Sequence, residues 1–120
     1  MRLGNEVLKH SPHIILVVDG ISNDSSFDYY CFSYWGSHWR EAKRKNSWIW
    51  FDKPNKFTIS SHPYGPSVAP TKEQFYNPKF PWNMYEYLDE CMFFMHKEGH
   101  APMIVTEWGG KSDNENDLKY

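Results

Sequence analysis

Met103-Ile104-Val105-Thr106-Glu107-Trp108-Gly109-Gly110 is the stretch whose reading sets the fold: a short apolar run ending in a carboxylate, an aromatic ring and paired glycines. A continuous apolar run of this kind reads as a strand of a parallel sheet, buried on both faces. In α/β folds, groups at the carboxyl ends of such strands line the ligand-facing rim. Glycines placed there permit a sharp turn or a close approach of backbone to a ligand. Glu107 is therefore expected at the rim of a sheet. Side chains alternate along a strand, so Trp108 is expected to pack behind it as a supporting ring.

Working outward, Leu3, Val7 and Leu8 recur at helical spacing across residues 2–10, and Ser11-Pro12 ends that run. His13 to Val18 is apolar and β-branched, closes on Asp19-Gly20, and reads as a strand. Residues 22–55 are rich in Ser, Asp, Tyr and Trp, show no period, and read as a long irregular region of the kind that usually carries function. Lys56 to Ser61 reads as another strand, ending at Ser61-His62-Pro63-Tyr64-Gly65-Pro66. The proline-dense residues 66–82 read as extended loop. A helix is expected from Asn83 to Glu98, with Met84, Leu88, Cys91, Met92 and Met95 on one face, Asn83 as N-cap and Gly99 just past its end.

The order helix, strand, long loop, strand, loop, helix, strand predicts an α/β fold with a parallel sheet and right-handed crossovers. Asp19, His62 and Glu107 then fall at strand ends on one edge, where they can converge. Three parallel strands leave two unpaired edges, and one helix cannot cover both faces. A closed barrel needs about eight such units in roughly 250 residues. The chain of 120 residues is accordingly read as part of one larger domain, with no second domain.

Composition narrows the function. The formal net charge is −2, and the basic residues are scattered apart from the run Arg40 to Lys45, which argues against nucleic acid as a partner. No apolar run reaches the roughly 20 residues of a membrane helix, and residues 1–6 lack the apolar core of a signal peptide. Cys31 and Cys91 have no metal-ligand spacing; one disulfide and two thiols both remain open. Asn23-Asp24-Ser25 is a glycosylation sequon compatible with secretion. Glu6, His10 and His13 come near helical spacing, but Pro12 breaks the turn, and there is no His-Glu-x-x-His or Cys-x-x-Cys, so no metal is expected. A glycine-rich loop ahead of a helix is absent, so neither is a phosphate cofactor. Aromatic residues make up 18% of the chain, many of them in loop-like stretches, which suits a surface that holds sugars.

Taken together, His62-Pro63-Tyr64-Gly65-Pro66 and Glu107-Trp108-Gly109-Gly110 resemble motifs of glycoside hydrolase family 5, the cellulase family A enzymes. Leu3-Gly4-Asn5-Glu6-Val7-Leu8, Ser11-Pro12-His13 and Val18-Asp19-Gly20-Ile21 look like that family's fourth helix and fifth strand. Tyr34-Trp35-Gly36 resembles its Trp-Gly element, and Phe75 to Met84 its loop into the sixth helix.

The resemblance implies an eight-stranded (β/α) TIM barrel, of which this chain supplies about the fifth to seventh strands. It also implies a retaining endo-β-1,4-glucanase, acting on a β-glucan or related polysaccharide by double displacement. Glu107 would be the nucleophile, with His62 and Tyr64 contacting sugar and nucleophile. Trp35 and Trp39 are candidates for stacking in the cleft, Asp19 for a supporting role. Retaining glycosidases hold two carboxyl groups about 5–5.5 Å apart. The family's Asn-Glu-Pro, which carries the acid/base, does not occur here. A non-catalytic carbohydrate-binding or degenerate remnant protein is the alternative. The family's substrates imply secretion of the full-length protein.

Overall fold

The computed structural model describes residues 1–21, 36–69 and 73–120. Helix α1 (Arg2–His10) leads into strand β1 (Leu16–Asp19). The short helix α2 (Arg40–Arg44) precedes strand β2 (Phe57–Ser61). Helices α3 (Asn83–Leu88) and α4 (Phe94–Lys97) are joined by a π-helical turn, Asp89–Phe93. Strand β3 (Met103–Val105) and helix α5 (Glu115–Lys119) complete the order.

The three strands form one sheet in the order β1-β2-β3, parallel throughout. Its register explains its faces. Val18 pairs with Ile59 and Ile59 with Met103, and this row packs into a core with Met84, Tyr87, Cys91, Met92 and Met95 from the α3–α4 helix. The next row is Asp19, Ser60 and Ile104. Strand alternation turns it to the opposite face, where Val17 and Ile104 are 53% and 44% exposed. The expected burial on both faces is thus met at the central strand, where Ser60 on this face is fully buried, and not at Val17 of β1 or Ile104 of β3. Among the described residues, β1 and β3 each have a single strand neighbour.

The expected helical face from residue 84 to residue 95 is the buried one, and Gly99 ends the helix at φ +77°. Asn83 does not act as the N-cap. It lies inside the helix, and its Nδ2 donates to Gln74 O at 2.9 Å. The region 66–82 is not uniformly extended, because Glu73–Tyr76 forms a 3₁₀ turn whose Phe75 is buried. The irregular region 22–55 contains α2, whose Arg-Glu-Ala-Lys-Arg sequence is a run of good helix formers. Helix α5 was not anticipated; Asn114 caps it by accepting from Asp117 N–H. Cys91 is disulfide-bonded. Cys31, the chain's other cysteine, lies outside the described residues.

Candidate active site

The sheet brings three polar strand ends to one edge, as the parallel order requires. Asp19 ends β1, His62 follows β2, and Thr106-Glu107 follows β3. Tyr64 joins them because the loops after β2 and β3 remain paired beyond the sheet, with a parallel bridge between Tyr64 and Gly109.

The Tyr64 hydroxyl donates to Glu107 Oε2 at 2.5 Å, a short charge-assisted hydrogen bond. That bond first, and partial desolvation second, push the Tyr64 phenol above its ordinary value, so it stays protonated and remains a donor. His62 stands between two carboxylates. Its Nδ1 is 3.8 Å from Glu107 Oε2 and its Nε2 is 3.9 Å from Asp19 Oδ1. Both separations lie within ion-pair range and beyond a direct hydrogen bond. The His62 ring is held instead by Thr106, whose Oγ1 lies 2.9 Å from Nε2 and is in turn hydrogen-bonded to Ser60 Oγ. The His62 side chain is 15% exposed, whereas those of Asp19 and Glu107 are each 54% exposed and open to a ligand.

Gly20, Gly36 and Ser37 support this edge. Gly20 N–H donates to Gly36 O at 2.6 Å, and the buried Ser37 accepts from His62 N–H at 2.9 Å. Gly36 sits at φ +65°, which favours glycine, and a Cβ there would crowd Asp19 Cβ at 3.1 Å.

Asp19, His62, Tyr64 and Glu107 are therefore together, and the expected rings are not. Trp39 is 5% exposed and belongs to the core, with its backbone N–H donating to Cys91 O. It anchors α2 against the helix behind the sheet and offers no face for stacking in a cleft. Trp108, expected to pack behind the strand, is 78% exposed and lines a cavity of about 780 Å³ with Pro63, Trp82, Tyr85 and Leu88. Its strand ends at Val105, so β alternation no longer governs its direction. Trp35 lies outside the described residues. Sequence reasoning passed over Ser60 and Thr106, although alternation from His62 and across the ladder would have placed both hydroxyls on its face.

Among the described residues, no group of three or more His, Cys, Asp or Glu side chains is arranged to hold a metal ion. No helix among them is long and apolar enough to cross a membrane.

No family model matches the chain. It is 29% identical over 116 residues to an endoglucanase of Paenibacillus polymyxa, a match that takes in 92% of this chain and 27% of that protein. It is 24% identical to endoglucanase G of Acetivibrio thermocellus, across 95% of this chain and 23% of the relative. Among solved structures, the endocellulase of Pyrococcus horikoshii superimposes with a TM-score of 0.76 at 27% identity, over 98% of this chain and 32% of that one. The same endocellulase is also recorded in complex with cellotetraose, as a glutamate-to-alanine variant (TM-score 0.75) and as a tyrosine-to-phenylalanine variant (TM-score 0.71). The chain thus spans about a quarter of the length of the curated relatives and a third of the solved structures it matches. In fold and in sequence it is similar to part of these endocellulases, and its parallel sheet with flanking helices is a portion of a (β/α)8 barrel.

Proposed function

We propose that the chain contributes the nucleophile and its immediate partners to a retaining endo-β-1,4-glucanase, with Glu107 attacking the anomeric carbon. The observation that carries this reading is the 2.5 Å hydrogen bond from Tyr64 to Glu107 at the carboxyl edge of a parallel sheet. Attack requires the carboxylate form, and a phenol that stays protonated orients one oxygen while leaving the other for the sugar. In double displacement, Glu107 forms a glycosyl ester as an acid protonates the leaving oxygen, and water then hydrolyses that ester with the same acid acting as base. That second carboxyl group comes from elsewhere in the parent protein, since Asn-Glu-Pro does not occur in this sequence.

His62, fixed through Thr106 and Ser60, stands where it can meet a sugar hydroxyl near the scissile bond. Asp19 supports the far side of His62. The substrate is a β-glucan or a related polysaccharide, which accords with cellotetraose bound to the similar endocellulase. Variants of a glutamate and of a tyrosine in those complexes are in keeping with a working Glu–Tyr pair. The disulfide at Cys91 fits an oxidising compartment, and so a secreted parent protein.

The test is Glu107→Gln in the full-length enzyme. Release of reducing ends from a soluble cellulose derivative should fall by orders of magnitude, while calorimetric binding of cello-oligosaccharides survives. Undiminished turnover would rule the assignment out.

A further inference from the structure

Past Ser61 and Val105, the last paired residues of β2 and β3, the chain continues as two loops that stay bound to each other. Gly65 N–H donates to Gly109 O at 2.8 Å, and Lys111 N–H donates to Ser67 Oγ at 2.8 Å. One side chain from α5 closes the arrangement. Asp117 Oδ1 accepts from Ser67 N–H at 3.0 Å, and Oδ2 accepts from Ser112 N–H at 3.0 Å, so each oxygen holds a different loop. Asn114 fixes Asp117 in turn by accepting from its N–H at 2.9 Å.

Both loops carry glycine where the carboxylate passes. A Cβ on Gly110 would lie 2.8–2.9 Å from the three carboxylate atoms, and one on Gly65 would lie 3.0 Å from Oδ1. Neither glycine has a positive φ, so a side chain at either position would press on the carboxylate and shift it rather than strain the backbone.

Building on the reading of Glu107 and Tyr64 as a working pair, we propose that Asp117 is its positioning residue. Its carboxylate clips the loop carrying Tyr64 to the loop carrying Glu107, and so sets the contact between the two side chains. The partners of that 2.5 Å bond come from separate loops, and the sheet ends before either of them. Working groups need placement to within about 0.5 Å, which the backbone pairing of two loops does not supply unaided. The Ser67 hydroxyl first, then the N–H groups of Ser67, Ser112 and Lys111, hold the Asp117 carboxyl below its usual range, so the clip stays ionised.

The experiment compares the full-length enzyme with Asp117→Asn and, independently, Gly110→Ala. Asparagine keeps the shape but turns one acceptor into a donor facing a backbone N–H. Alanine at 110 displaces the carboxylate without touching its chemistry, and gives a second route should the first variant fold poorly. Titration of the Tyr64 ring carbon bearing the hydroxyl, followed by NMR, should shift downward toward ordinary tyrosine in both variants. On a soluble cellulose derivative, kcat should fall about tenfold or more with KM little changed, and Asp117→Asn should add little on top of Tyr64→Phe. An unchanged Tyr64 titration in both variants, or full additivity with Tyr64→Phe, would overturn the proposal. The titration reads the loop contact whether or not Glu107 is the nucleophile. Failure of the clip is therefore distinguishable from failure of the catalytic assignment, which Glu107→Gln decides.

Discussion

Replacing Thr106 with valine removes one hydroxyl and leaves the side-chain shape nearly unchanged. Ser60 is fully buried, and its hydroxyl is hydrogen-bonded to Thr106 Oγ1. Valine presents a methyl group there, so the Ser60 hydroxyl is stranded away from water at a cost of about 1–3 kcal/mol. Removing both hydroxyls eliminates the stranded group, so Ser60→Ala combined with Thr106→Val should recover most of the loss. The same change releases the His62 ring from its 2.9 Å contact. Urea unfolding and kcat on a soluble cellulose derivative, measured on the full-length enzyme and these two variants, separate the two effects. The double variant should be more stable than Thr106→Val alone, yet share its reduced kcat, because neither holds His62. A double variant no more stable than Thr106→Val, or full kcat in both, would refute the reasoning.

Trp39→Ala should lower unfolding stability by about 3–5 kcal/mol, the usual cost of emptying a buried aromatic site, while cello-oligosaccharide affinity, read by calorimetry, stays unchanged; weakened affinity without destabilisation would restore a stacking role. The pH dependence of unfolding separates the two loop contacts. Asp117 has its folded pKa depressed by Ser67, so its contribution is complete above the ordinary carboxylate range and is lost as pH falls through the lowered value. The stability gap between wild type and Asp117→Asn should therefore be constant near neutrality and close below about pH 4. Tyr64 is raised by Glu107, so its contribution is complete below about pH 10 and is lost as pH climbs through the raised value. The gap to Tyr64→Phe should close only on that alkaline side.

The parallel sheet and its polar edge were readable because strand runs ending in Asp19, His62 and Glu107 announce a common rim whatever the loops do. The long helix was readable from the spacing of Met84, Leu88, Cys91, Met92 and Met95, although a π-helical turn within it leaves no mark on that pattern. Trp39 was misread because five residues of helix are too short to show a period, and a ring in a polar, aperiodic stretch looks like a loop ring. What assigns it to the core is tertiary, namely its packing against the helix behind the sheet. Thr106 and Ser60 were within reach of strand alternation. Asp117 had only the faint signal of Asn114 capping a short helix, and the N–H groups of Ser67 and Ser112 from which it accepts are backbone donors that no side-chain pattern reveals. Sequence reports which side chains a strand will face. It says little about backbone donors gathered by a turn.

The central claim concerns a covalent bond, and the most direct measurement looks for it. The full-length enzyme should be treated with a 2-deoxy-2-fluoro cellobioside bearing a good leaving group, digested with protease and read by mass spectrometry. The account predicts a single glycosyl adduct on the peptide containing Met103 to Gly110, located on Glu107, with retained anomeric configuration in the products of normal turnover. An adduct on another carboxylate, or products of inverted configuration, would contradict it.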